Sequence, residues 1–332
     1  MTLLKVTNVT KKGAGGFLLS NISFSQHKLE KIAISGETGA GKSTLLKLIA
    51  GLLQPDEGEI LFEKKKIIGP DDQLVPGHPG IAYLSQHFEL QKFLRVEQVL
   101  RYSNKISDRD ADTLFKVCRI SHLLQRKTDQ LSGGEKQRIA MCRLLISWPR
   151  LLLLDEPFSH LDMVHKNTLK AVVRDIGDKL KITCILVSHD PLDTLSWADK
   201  ILIMKEGKIV QKGKPETLYK EPVNEYAAGL FGKYNLLHPP MFKALSSQKS
   251  IKKKIDEAGD KSLFLRPENF KLVKKSNRAL RGKVQNVLFF GSYREVEILI
   301  SKNLITVKTD REDIKKGDIL YISASPDNVG IL

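Results

Sequence analysis

Short apolar blocks, polar turns and longer stretches of helical spacing alternate along the first 240 residues. KIAIS (31–35) is brief, apolar and β-branched, the pattern of a buried strand. TLLKLIAGLL (44–53) follows with helix-former composition and closes near Gly51. RLLLLDEP (150–157) and ITCILVSHD (182–190) read as two more buried strands. Between them and the first helix, residues 93–130 have helical composition and spacing with no strand-like alternation, and EKQRIAMCRLLI (135–146) continues as a helix. After residue 237 the pattern changes. Residues 238–262 are polar and weakly patterned; LFLRP, RGKVQNVLFFGSYREVEILI, LITVKT and GDILYIS then predict short strands of a small β-barrel.

A length of 332 residues suits two domains, and 41% hydrophobic with 28% charged residues describes a globular chain. No apolar run approaches the roughly 18 residues that span a bilayer, and MTLLKVTNVT lacks the apolar core of a secretory signal. Cys118, Cys142 and Cys184 are scattered without metal or disulfide spacing, which fits a reducing cytosol. The net charge is +16, and residues 240–332 are the more basic part. Such a balance suits nucleic acid, an anionic membrane or a solvated surface. Lysines are dispersed apart from two KKK runs, so a solvated surface is the reading taken.

Chemistry enters at SGETGAGKST (35–44), where Gly36, Gly41, Lys42 and Ser43 fill G-x-x-x-x-G-K-[ST]. Glycines let backbone N–H groups converge on an anion, the lysine adds charge, and the serine hydroxyl suits magnesium. A tight turn before a core helix is the plainer alternative, but a strand before and a helix after give the context a phosphate loop needs. At the end of RLLLLDEP, Asp155 is placed to hold a metal shell and Glu156 to polarise a water. Ser132, Gly133 and Gly134 form a second turn that suits an anion, about 90 residues on. One nucleotide rarely needs both, so a two-fold dimer in which each loop faces the partner's turn is the economical arrangement.

These stretches resemble the ATP-binding subunits of ABC transporters, a likeness that covers nearly all of residues 1–239. GETGAGKS looks like the Walker A loop, LSGGEKQR the signature, LLLLDEP the Walker B strand, SHLD the D-loop, VSHD the switch-histidine segment and YLSQHFEL the Q-loop. The resemblance implies an α/β P-loop NTPase domain over 1–235, with a helical subdomain near 87–145, and an OB-like regulatory β-barrel over 236–332. It implies ATP and Mg2+ as cofactors. Gly36, Glu37, Thr38, Gly39, Ala40, Gly41, Lys42, Ser43 and Thr44 would bind the phosphates, with Ser132, Gly133 and Gly134 reaching the partner's nucleotide. Ser43, Gln86 and Asp155 would hold the metal, and Gln86 would also contact the attacking water. Glu156 would be the general base, His189 would hold the γ-phosphate, and Asp162 would couple the two sites. Phe17 is the nearest aromatic to where the family stacks adenine, and its spacing fits a core residue equally well.

The tail is similar to the regulatory barrel of import-type ATPases for polyamines, ferric iron, oxyanions and sugars, through LRPENFKL and FFGSYREVEI. That resemblance implies membrane-spanning permease subunits, an indirect extracytoplasmic solute-binding protein, a homodimer and a peripheral place on the cytoplasmic face of the membrane. The alternative is a soluble ABC ATPase acting on nucleic acid or ribosomes. One P-loop, one signature and no heptad run speak against it, as does a tail read as lacking exposed aromatics interleaved with arginine. Direct nucleic-acid binding is therefore not expected.

Overall fold

The computed structural model describes residues 1–13, 16–86, 89–101, 107–238, 241, 261–276, 279–324 and 329–332. Contacts divide the chain into two compact units, Met1–Pro215 and Glu216–Leu332. In the first unit β1 (Thr2–Gly13), β2 (Gly16–His27) and β3 (Ile32–Ser35) lead into α1 (Lys42–Ile49). Then come β4 (Glu57–Phe62), β5 (Lys65–Lys66), β6 (Ile81–Leu84), α2 (Val96–Arg101), α3 (Asp108–Val117) and α4 (Gly133–Leu145). β7 (Leu151–Asp155), α5 (Met163–Leu180), β8 (Thr183–Val187), α6 (Pro191–Leu195), β9 (Lys200–Lys205) and β10 (Lys208–Gly213) complete it.

The central sheet runs β10-β9-β3-β8-β7-β6, parallel except for the edge strand β10. A second, antiparallel sheet runs β2-β1-β4-β5. Every residue of β3, β7 and β8 is buried, as a parallel sheet covered on both faces requires. The four leucines of β7 alternate between two cores: Leu152 and Leu154 pack with the helices α4 and α5, Leu151 and Leu153 with α1 and the antiparallel sheet. Register places Asp155 beside Val187 and Val187 beside Ile34. The chain therefore leaves β3, β7 and β8 at the same edge of the sheet, where open α/β folds bind ligands.

In the second unit α7 (Pro215–Lys220), α8 (Glu225–Leu230), β11 (Asn235–Leu237) and β12 (Leu263–Leu265) precede β13 (Phe270–Val273), β14 (Leu280–Phe289) and β15 (Arg294–Ile300). β16 (Asn303–Thr309), β17 (Ile319–Ala324) and β18 (Gly330–Ile331) follow. Two antiparallel sheets, β13-β17-β14-β15-β16 and β11-β12-β18, share one apolar core, so the tail is β-rich as its sequence predicts. Residues 216–235 group with this unit rather than with the first. Buried Arg266 gathers the carbonyls of Tyr219, Ala228, Gly232 and Lys233 and lies over the Tyr219 ring. The tail also departs from its reading in one respect. Leu288, Phe289 and Phe290 are exposed on the β14–β15 hairpin, Tyr293 stacks on Phe290, and Arg294 lies over Phe289. Strand pairing sets Phe289 directly opposite Arg294, an interleaving that a linear reading of FFGSYR conceals.

Candidate functional site

α1 begins from Gly41, whose left-handed backbone (φ 92°) lets the loop turn into the helix. A Cβ on Gly41 would lie 2.6 Å from the Leu19 side chain and 2.8 Å from the Leu18 carbonyl, so nothing larger fits. Lys42 is buried and donates from Nζ to the carbonyls of Gly36 and Glu37, 2.8 Å each. Its pKa is lowered by burial, against the opposing pull of Glu156, Asp155 and Glu37. The amide of Ala40 donates to the Glu37 carbonyl, which tightens the loop, and half-buried Thr44 follows in the first turn of α1. Ser43 donates from Oγ to Asp155 Oδ1 at 3.0 Å.

Asp155 is held on its other oxygen by the Tyr83 hydroxyl at 2.9 Å, and burial together with Asp155 pushes the Tyr83 pKa up. Glu156 takes a left-handed backbone (φ 50°), with its N–H on the Val187 carbonyl, and so turns away from the strand. Glu156 Oε2 lies 2.8 Å from His189 Nδ1, with the carboxylate mostly covered and the imidazole exposed. A cavity of about 490 Å³ brings Thr38, Gly39, Lys42, Ser43, Gln86, Glu156 and His189 together.

The sequence gives no sign of Tyr83 as the residue that holds Asp155, nor of the ion cluster behind His189. Lys166 lines the same cavity and pairs with Asp190, and with Asp193 at 3.0 Å. Burial works to lower the Lys166 pKa, but its bonds to Asp190 and Asp193 outweigh it and raise the value. Asp193 also takes Lys170 and the Ser188 hydroxyl, which fastens the His189 segment to α5. These contacts join residues far apart in the chain, so no local spacing announces them.

Ser132, Gly133 and Gly134 do not line the cavity. Ser132 caps α4 and trades hydrogen bonds with Glu135, while a side chain at Gly133 would meet open space. Gln137 in α4 donates to the Pro157 carbonyl and so ties this helix to the turn after β7. Asp162 caps α5 and is exposed. Phe17 pairs with Lys12 in the β1–β2 hairpin, and its ring lies outside the described side chains.

A glycine loop running into a helix N-terminus, with a lysine inside it and a carboxylate at the end of a parallel strand beside it, is built to receive the phosphates of a nucleotide. Fold and site together define a P-loop ATPase of the α/β class. The ABC transporter family model matches residues 19–159. A spermidine/putrescine import ATP-binding protein of Clostridium acetobutylicum is 30% identical, over 99% of this chain and 96% of its own. A sulfate/thiosulfate import ATP-binding protein of Synechocystis is 31% identical, over 90% and 85% respectively. Among solved structures, a dimeric post-hydrolysis state of the ATP-binding cassette MJ0796, bound to ADP and phosphate, matches with a TM-score of 0.55 at 25% identity. That match covers 64% of this chain and 99% of the other. The chain belongs to the ABC transporter family as an ATP-binding subunit, which binds and hydrolyses ATP to power transport through separate membrane subunits.

Proposed function

We propose that the chain works as a homodimer that drives import of a small solute, with two ATP sites at the interface, each formed by the phosphate loop of one protomer and the 132–134 turn of the other. The observation that supports this is the absence of Ser132, Gly133 and Gly134 from the cavity that collects Lys42, Ser43, Gln86, Glu156 and His189. An ATP held by the loop leaves the turn unused until a second copy supplies it, and that arrangement is isologous. The Ser43 hydroxyl, the Asp155 carboxylate and the Gln86 amide are oxygen donors of the kind Mg2+ prefers, and the first two already approach to 3.0 Å. When bound, the metal would neutralise phosphate charge. Glu156 accepts a proton from the attacking water, and His189, bonded to it through Nδ1, keeps Nε2 for the γ-phosphate. Asp162 lies at the start of α5, where the two sites would communicate.

Import is the direction named for both relatives, one for a polyamine cation and one for sulfate. That this chain is about equally similar to relatives named for solutes of opposite charge, at 30% and 31% identity, argues that the solute is chosen elsewhere, by the permease and an extracytoplasmic binding protein. Among the described residues no helix is long and apolar enough to cross a membrane, which fits a peripheral subunit on the cytoplasmic face. The test is Glu156→Gln, whose amide cannot accept the water's proton. Hydrolysis should fall at least about 100-fold while ATP-induced dimers accumulate in size-exclusion chromatography. Hydrolysis at the wild-type rate would remove Glu156 from the mechanism, and a monomer at saturating ATP would remove the composite site.

A further inference from the structure

His165 stands outside every motif, yet it joins two of them. The cap residue Asp162 accepts the His165 backbone N–H at 2.9 Å through Oδ1, and its Oδ2 lies 2.6 Å from the ring's Nδ1. The opposite nitrogen, Nε2, faces the Ser132 hydroxyl at 3.5 Å. The ring packs so closely on Gly134 that a Cβ there would lie 2.7 Å from its Cδ2. One imidazole therefore spans from the start of α5 to the start of α4.

We propose that His165 is a positioning residue for Ser132, itself oriented by Asp162, and that it sets the rotamer from which the serine meets the partner's nucleotide. The inference rests on reading the 132–134 turn as a contact to ATP. The backbone and ring of His165 hold the Asp162 carboxyl below its usual range, so it stays an anion. That anion accepts the hydrogen bond of Nδ1–H, which leaves Nε2 unprotonated and facing the Ser132 hydroxyl. Ser132 Oγ already accepts the Glu135 N–H at 3.3 Å, and a second neighbour at Nε2 selects among its staggered positions. A contact at 3.5 Å is at the outer limit of a hydrogen bond, so it orders the hydroxyl more than it stabilises the fold. Ordering in advance removes a cost that would otherwise fall on closure of the dimer.

The experiment uses the full chain in a Glu156→Gln background. It measures the ATP concentration for half-maximal dimerisation by sedimentation, and ADP affinity as a reading of each chain's own loop. Ser132→Ala and His165→Leu should each raise the ATP requirement about 3- to 10-fold, the worth of one hydrogen bond, with ADP affinity unchanged. The double variant should be no worse than Ser132→Ala. His165→Gln, whose amide reaches the position of Nε2, should dimerise as the parent does. His165→Asn, whose amide keeps only the contact to Asp162, should behave like His165→Leu. The inference falls if His165→Leu dimerises normally, if the two losses add, or if Asn rescues as well as Gln. Normal dimerisation of Ser132→Ala would instead overturn the composite site, and this inference with it. If His165→Leu melts early, the comparison of Gln with Asn still decides, since both keep a polar side chain of similar size.

Discussion

Gly41 shows how little latitude the phosphate loop has. Its φ of 92° costs an L-residue about 1 kcal/mol, and any Cβ would press on the Leu18 carbonyl, which is backbone and cannot swing aside. Gly41→Ala should lower the melting temperature and abolish the stabilisation that MgATP confers, measured by thermal shift with and without nucleotide. Gly39→Ala would meet open space and carry only the backbone strain (φ 85°), so it should be the milder of the two. At this scale the sequence was informative where chemistry sits at fixed offsets from a strand end. Lys42, Ser43, Glu156 and His189 do share one cavity, with Asp155 bonded to Ser43 beside it. Tyr83 and Lys166 could not be read, because only the fold brings Asp155 and Asp190 to them, and neither could the approach of His165 to Ser132.

At the scale of elements, β7 is a wall between two cores. Leu152→Ala and Leu153→Ala open cavities on opposite faces of the same strand, and each should cost about 2–5 kcal/mol. Both should lower the melting temperature, by about 2–4 °C per kcal/mol for a unit of this size. The buried strands β3, β7 and β8 were legible as unbroken apolar runs. β1 and β2 were not, because shifts of register between Val6 and Val9, and again between Val9 and Lys11, break the alternation that marks a strand. The helical stretch read over residues 93–130 holds α2 and α3 with short 3₁₀ turns, a division that composition does not mark.

For the whole molecule the question is where to divide it. A boundary near residue 235 follows from the change in sequence character, but Arg266 collects carbonyls from residues 219–233 and so claims that segment for the second unit. A chain ending at Lys214 should fold and show a rise in melting temperature with MgATP. One ending at Gly232 should be less soluble, since Leu218, Ala227, Ala228 and Phe231, buried in the full chain, lose their cover. Equal behaviour of the two would put the boundary back near residue 235. The β14–β15 hairpin has a consequence for the protein in a tube. Its apolar tip is exposed on a chain of net charge +16, so at low ionic strength copies repel one another before the tips can touch. Adding salt shortens the reach of that repulsion from about 30 Å at 0.01 M to about 3 Å at 1 M. The purified subunit should then scatter more light as salt rises, and Phe289→Ser together with Phe290→Ser should flatten that curve.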